Sequence, residues 1–247
     1  MLFKETASKK PVIVLLHGGG LSDWSLQKIV KRLEADFHLV TPVIDGHGEN
    51  GGEEFVSIKA CAQKLIDHID SVYGGRVFAL GGLSLGGQIA VEVLSRRPDI
   101  SEYAVIESAL VVPIKVAGAI AAPMYKLFYG LIRSRRFARM QAKSLEIPEE
   151  MFESYYQDSM NMSKRSLVNI TISNSRYALD EKIALTTAKV LIIVGEREMR
   201  VMKKSAYLLH RAIDFSRLYI APAMKHGQFS ILHPDEYVKV LLNFLEI

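Results

Sequence analysis

Cysteine is nearly absent from this chain of 247 residues: Cys61 stands alone. One thiol cannot close an internal disulfide, so no cross-linked framework holds the fold, and such usage fits a reducing compartment. We therefore expect a cytoplasmic protein. Long apolar runs are scarce as well. The longest, around Ala109 to Ala122, is interrupted by Pro113 and Lys115 and is too short to cross a bilayer. Met1 to Pro11 is polar and charged and lacks the apolar core of an export signal. An excess of one charge is also missing. Lys and Arg number 31 against 27 Asp and Glu, for a net charge of +4. The basic residues are scattered, so no nucleic-acid partner is expected. Neither an H-E-x-x-H motif nor a Cys/His cluster occurs, so no metal and no cofactor are implied. Internal repeats and low-complexity tracts are absent.

What is abundant is apolar sequence, 49% of residues, enough for a large core. It falls into strand-like runs that alternate with amphipathic stretches. Val12 to Leu16, Phe37 to Val43, Arg76 to Gly81, Glu102 to Glu107, Lys189 to Gly195 and Arg217 to Ile220 read as strands, and Leu2 to Thr6 as a short edge strand. Continuous runs such as Val12 to Leu16 suit strands buried on both faces. Between them, Trp24 to Ala35, Ile58 to Tyr73, Lys203 to Ile213 and Asp235 to Leu245 carry apolar residues at helical spacing. The fold class is α/β, a mostly parallel sheet with helices on both faces. The alternation fails over 111–187, which has few strand-like runs and many helical ones (Pro123 to Lys143, Pro148 to Met160, Lys164 to Arg176). We read residues 1–110 and 188–247 as the core, and 111–187 as a helical cap inserted over the carboxyl edge of the sheet, where open α/β sheets bind ligands.

One turn organises the chain. Gly82-Leu83-Ser84-Leu85-Gly86-Gly87 follows a strand and precedes the helix-like run from Gln88 to Leu94. Strand, G-x-S-x-G, helix is the context of a nucleophile elbow: a sharp turn forces Ser84 into a strained backbone with its side chain above the sheet. The glycines let neighbouring backbone pass close by. Ser84 then lies at the positive end of a helix, where the Leu85 N–H can face a developing oxyanion. Alone, the motif is also compatible with a Gly-rich turn carrying an idle serine.

Four further segments stand in order along the chain: Leu15-Leu16-His17-Gly18-Gly19, Gly46-His47-Gly48, Val194-Gly195-Glu196-Arg197-Glu198 and Met224-Lys225-His226-Gly227. With the elbow, they resemble the α/β-hydrolase fold family, in its small, lidded, esterase- and lipase-like form. The resemblance implies a helical cap and a serine hydrolase that cleaves a small or medium carboxylic ester, or a related acyl substrate, through an acyl-enzyme. It implies Ser84 as nucleophile, His226 as base and Glu198 as the acid, where the family more often has Asp. The N–H groups of Gly19 and Leu85 would form the oxyanion hole. Thioesterase, lactonase, carbon–carbon hydrolase and cofactorless lyase activities share this scaffold, as does a ligand-binding role without catalysis.

Several residues remain alternatives. Gly20 competes with Gly19 in the triple-glycine loop, and Glu196 and Glu107 compete with Glu198. His233 competes with His226, although its place beside Pro234 suits packing. His17 and His47 fit loop-holding hydrogen bonds, and His38, His68 and His210 fit structural roles. A dinucleotide loop would need a third glycine where Asp23 stands. Arg133, Arg135, Arg136, Arg139 and Lys143 read as a solvated helix face, so membrane contact is not expected. Met124, Tyr125, Phe128, Tyr129 and Leu131 read as cap packing, or as the lining of an acyl pocket. An apolar cap could also serve a homodimer. Two departures from the family pattern stand out. Val43 occupies a position usually held by Asp, and only about eleven residues precede the Val12 strand, too few for the usual pair of N-terminal strands.

Overall fold

The β-branched and leucine-rich runs assemble into one seven-stranded sheet. The computed structural model describes residues 1–114, 123, 129–131 and 133–246. The strands are β1 (Leu2–Glu5), β2 (Val12–Leu16), β3 (His38–Val43), β4 (Val77–Leu83), β5 (Ser101–Glu107), β6 (Lys189–Gly195) and β7 (Ser216–Ala221), in the spatial order β1-β3-β2-β4-β5-β6-β7. All pairings are parallel except that of β1 with β3. One strand, β1, precedes β2 among the described residues. The chain leaves β2 for β3 on one side and returns to β4 on the other. The carboxyl ends of β2 and β4 therefore open a crevice where the strand order reverses.

Side chains alternate across the sheet, as a two-residue period requires. Val14 and Leu16 pack into one core layer with Ile58, Leu65 and Ile69 of α2 (Ile58–Tyr73) and Ile89 and Val93 of α3 (Leu85–Arg96). Ile13 and Leu15 point the other way, onto Ile29 and Leu33 of α1 (Gln27–Leu33) and Leu241 and Phe244 of the last helix, Pro234–Phe244. Ser57 caps α2 by accepting the Ala60 N–H at 3.1 Å, and Gly74, at φ 68°, ends it in the left-handed region. The helix expected from Trp24 begins instead as a 3-10 turn, Asp23–Leu26. That tighter turn lets the Trp24 indole N–H reach Asp158 at 2.6 Å.

Between β5 and β6 the described residues form helices Arg135–Ser144, Phe152–Asn161 and Lys164–Arg176 and no strand. The last of these docks on the core through polar contacts. Ser166 accepts the Phe55 N–H at 3.2 Å, Ser173 accepts the Ile58 N–H at 3.0 Å, and Asn169 donates to the Phe55 carbonyl at 2.9 Å. The end of the 111–187 stretch packs beside α3: Tyr177 and Ile183 are buried in the core there, and the Tyr177 hydroxyl donates to Glu92 at 3.2 Å. On the outer face, Arg135 and Arg139 pair with Glu153 and Glu149 and lie over the Phe152 ring. Met124, Tyr125 and Phe128 lie outside the described residues.

Candidate active site

The elbow has the geometry that its glycines permit. Ser84 sits at φ 53°, ψ −110°, a conformation that costs a non-glycine residue about 1–3 kcal/mol and persists only where surroundings over-determine it. Here the Ser84 N–H donates to the Glu107 carbonyl at 2.8 Å, and its carbonyl accepts from Gln88 at 2.9 Å. A Cβ at Gly82 would lie 2.3 Å from the Gly86 carbonyl carbon, and one at Gly86 would lie 2.5 Å from the Leu16 oxygen. Both positions exclude every other residue type.

Three side chains come together above it. The Ser84 hydroxyl lies 2.9 Å from His226 Nε2, and His226 Nδ1 lies 2.8 Å from Glu198 Oε2. The other Glu198 oxygen, Oε1, accepts from the Ser108 hydroxyl at 2.6 Å and the Gly195 N–H at 2.9 Å. The Glu198 side chain is fully buried, whereas that of His226 is 47% exposed. Burial opposes the Glu198 charge, yet the His226, Ser108 and Gly195 bonds outweigh it and hold this carboxyl below its usual range. A carboxylate on Nδ1 sets the tautomer that leaves Nε2 free to accept a proton from the serine.

The alternatives fall elsewhere. Glu196 turns to the neighbouring loop and accepts the Ala223 N–H at 2.7 Å. With the Arg197 N–H on the Met224 carbonyl at 2.9 Å, it laces the glutamate loop to the histidine loop. Glu107 is buried at the end of β5 and makes no hydrogen bond to His226. His233 precedes the last helix, and its backbone N–H bonds the Phe229 carbonyl. His38 bonds Glu5 at 2.9 Å, His68 stacks on Phe3 at 3.5 Å, and His210 lies 2.8 Å from the Ser216 hydroxyl.

The loop after β2 faces the serine. A Cβ at Gly19 would lie 3.6 Å from Leu85 Cβ, so the two backbones adjoin, and Gly19, Gly20, Ser84 and His226 line one cavity of about 520 Å³. Leu85 opens α3, so no carbonyl precedes its N–H by a helical turn. His17 is buried beneath. Its Nε2 accepts the Ile44 N–H at 3.0 Å, so Nδ1 carries the proton given to the Gly18 carbonyl at 2.9 Å. Burial pushes His17 down to about 3 and His47 down to about 4, which keeps both rings neutral. Val43 is buried in β3, and Asp45 anchors the following turn by accepting from Lys64 at 2.7 Å and Asn50 at 3.0 Å.

Other cavity walls come from the helical segment and from the residues that follow β5 and β6. Leu110, Ile114, Leu167, Ile170 and Met202 make them largely apolar, and Asn174 and Gln141 add amides. Apart from the imidazole of His226, no titratable acid or base other than the Tyr155 phenol lines the cavity among the described residues. Sequence reasoning missed Ser108, the partner of Glu198. Its only signal is position, directly after the strand that lies between the serine strand and the glutamate strand. It also missed Glu146 of the helical segment, which contacts Lys225 and Gln228, the residues flanking the His226-Gly227 pair.

Comparison with known proteins shows the family. The profile of the Alpha/beta hydrolase family matches residues 13–240. A pimeloyl-[acyl-carrier protein] methyl ester esterase of Vibrio vulnificus is 23% identical over 97% of this chain and 96% of its own. A monoglyceride lipase of Mus musculus is 22% identical over 94% of this chain and 79% of its own. An esterase of Exiguobacterium antarcticum superposes with a TM-score of 0.83 at 17% identity, covering 99% of this chain and 95% of that one. The strained serine, the ordered loops and the profile match converge: this chain belongs to the alpha/beta hydrolase family.

Proposed function

We propose that this chain is a serine ester hydrolase that works through an acyl-enzyme on small or medium, uncharged carboxylic esters. The observation that carries the reading is the continuous relay Ser84 Oγ, His226 Nε2, His226 Nδ1, Glu198 Oε2, with links of 2.9 and 2.8 Å. Ser84 attacks the ester carbonyl while its proton passes to His226 Nε2, and Glu198 stabilises the imidazolium. The carbonyl oxygen becomes an oxyanion and takes hydrogen bonds from the N–H groups of Gly19 and Leu85, each of which contributes roughly 10²–10³ in rate in comparable enzymes. His226 then protonates the leaving alcohol. Water repeats the sequence on the acyl-enzyme, giving the acid and free Ser84.

The cavity supports the substrate class. Its volume of about 520 Å³ suits a medium-sized group, and its largely apolar walls, which carry no carboxylate, lysine or arginine among the described residues, favour a neutral one. The relatives named for a methyl ester and for a monoglyceride support ester hydrolysis. Helices of the 111–187 stretch act as the cap that encloses this group. Cys61, buried and free, suits work in the cytoplasm.

The test is a fluorophosphonate probe together with p-nitrophenyl esters of graded acyl length. Covalent labelling at Ser84 and turnover lost in Ser84→Ala are expected. Absence of both would leave a binding protein in place of an enzyme.

A further inference from the structure

Glu107 is a buried carboxyl that the reaction does not consume. We propose that Glu107 is a positioning residue that ties the backbone of the nucleophile to the helix behind the catalytic histidine. This inference rests on the ester-hydrolase reading above.

The geometry is that of a two-ended link. At one end, the Glu107 carbonyl accepts the Ser84 N–H at 2.8 Å, which helps hold the serine in its strained conformation. At the other, Glu107 Oε1 accepts the Ser230 N–H at 3.3 Å. Ser230 belongs to the short helix Gln228–Leu232, which starts two residues after His226. Glu107 thus spans the segments that carry the two reacting side chains. The next residue, Ser108, bonds Glu198, so one dipeptide touches all three segments of the relay.

The surroundings select the uncharged form. Glu107 is 2% exposed, and its second oxygen and the Ser230 hydroxyl are both buried. The ionisable groups that act on it most strongly are Glu198 on the loop after β6 and His226 on the loop after β7, and Tyr237 on the last helix also feels its charge. Burial pushes Glu107 up to about 7. The Glu198 charge acts in the same direction, and Ser230 and His226 offset only part. A neutral carboxyl can accept the Ser230 N–H without placing a second negative charge beside Glu198.

The test compares Glu107→Gln, which keeps an acceptor oxygen, with Glu107→Leu, which keeps the volume and loses the acceptor. Active sites are counted with a fluorophosphonate probe, so that loss of folded protein is separated from loss of function. We expect kcat per titrated site to fall at least ten-fold in Glu107→Leu with KM within two-fold, and to stay within about three-fold in Glu107→Gln. The glutamine variant and the wild type should share one pH profile below pH 7 and separate above it, where the natural side chain ionises. The proposal is overturned if Glu107→Leu keeps wild-type kcat, if the loss falls on KM, or if Glu107→Gln is as impaired as the leucine variant at pH 6. Wild-type turnover and Ser84 labelling report separately on the ester-hydrolase reading.

Discussion

Ser108 donates its hydroxyl to Glu198 Oε1 at 2.6 Å, on the side of the carboxylate opposite His226. A hydrogen bond to a charged group contributes about 1.5–3 kcal/mol. Ser108→Ala should therefore lower kcat by roughly ten-fold with KM unchanged, because the carboxylate loses one of the groups that aims it. Steady-state kinetics on a p-nitrophenyl ester checks this, with the melting temperature as a control for folding.

The two neighbouring glutamates should separate cleanly. Glu198→Gln keeps the shape and removes the charge on His226 Nδ1, and kcat should fall by about 10³–10⁴. Glu196→Gln keeps an acceptor for the Ala223 N–H, so kcat should remain within about three-fold. A larger loss in Glu196→Gln than in Glu198→Gln would reverse the assignment of the acid.

Stability should respond to pH with opposite signs at the two buried carboxyls. Glu107 is raised to about 7 in the folded chain. It therefore contributes its full stability below the unfolded value near 4.5, and loses it as pH rises through about 7. Glu198 is lowered, so its contribution is present above the unfolded value and is lost as pH falls through the folded one. Urea unfolding between pH 5 and 8 should show Glu107→Gln gaining on the wild type as pH rises.

At the elbow, Gly86→Ala would place a methyl 2.5 Å from the Leu16 oxygen, a backbone contact that cannot swing away. We expect insoluble or inactive protein. Gly20→Ala meets nothing within 4 Å and carries only the strain of φ 76°, about 1–2 kcal/mol. Melting temperatures of the two variants give the comparison.

Substrate charge supplies a further check. Burying an unpaired carboxylate in an apolar cavity costs several kcal/mol. An ester bearing a terminal carboxylate on its acyl chain should show kcat/KM at least ten-fold below its methyl-terminated counterpart, measured as initial rates at pH 8.

The parallel sheet and the loops at its edge were legible in the sequence because each leaves a local mark. Val12 to Leu16 and Lys189 to Gly195 are apolar on both faces, and Gly82 and Gly86 are required by close backbone contacts, Gly82 within its own turn and Gly86 with the end of β2. The glutamate was harder. Glu196 and Glu198 share one loop, and the choice depends on which backbone each side chain meets, Ala223 for one and Gly195 for the other. Ser108 and Glu146 left no mark, since their partners lie 90 and 79 residues away. The short helix Gln228–Leu232 was missed for a related reason: five residues carry too little periodicity to read.

The reacting serine and histidine stand 142 residues apart in the chain, and the histidine loop follows β7, the last strand of the sheet and one of its edges. The strained nucleophile therefore precedes its proton acceptor in the chain by most of the sheet. A chain that has completed β6 but lacks the loop after β7 holds Ser84 without His226. Docking of that edge strand and its loop completes the relay, so the folding of one edge arms the serine.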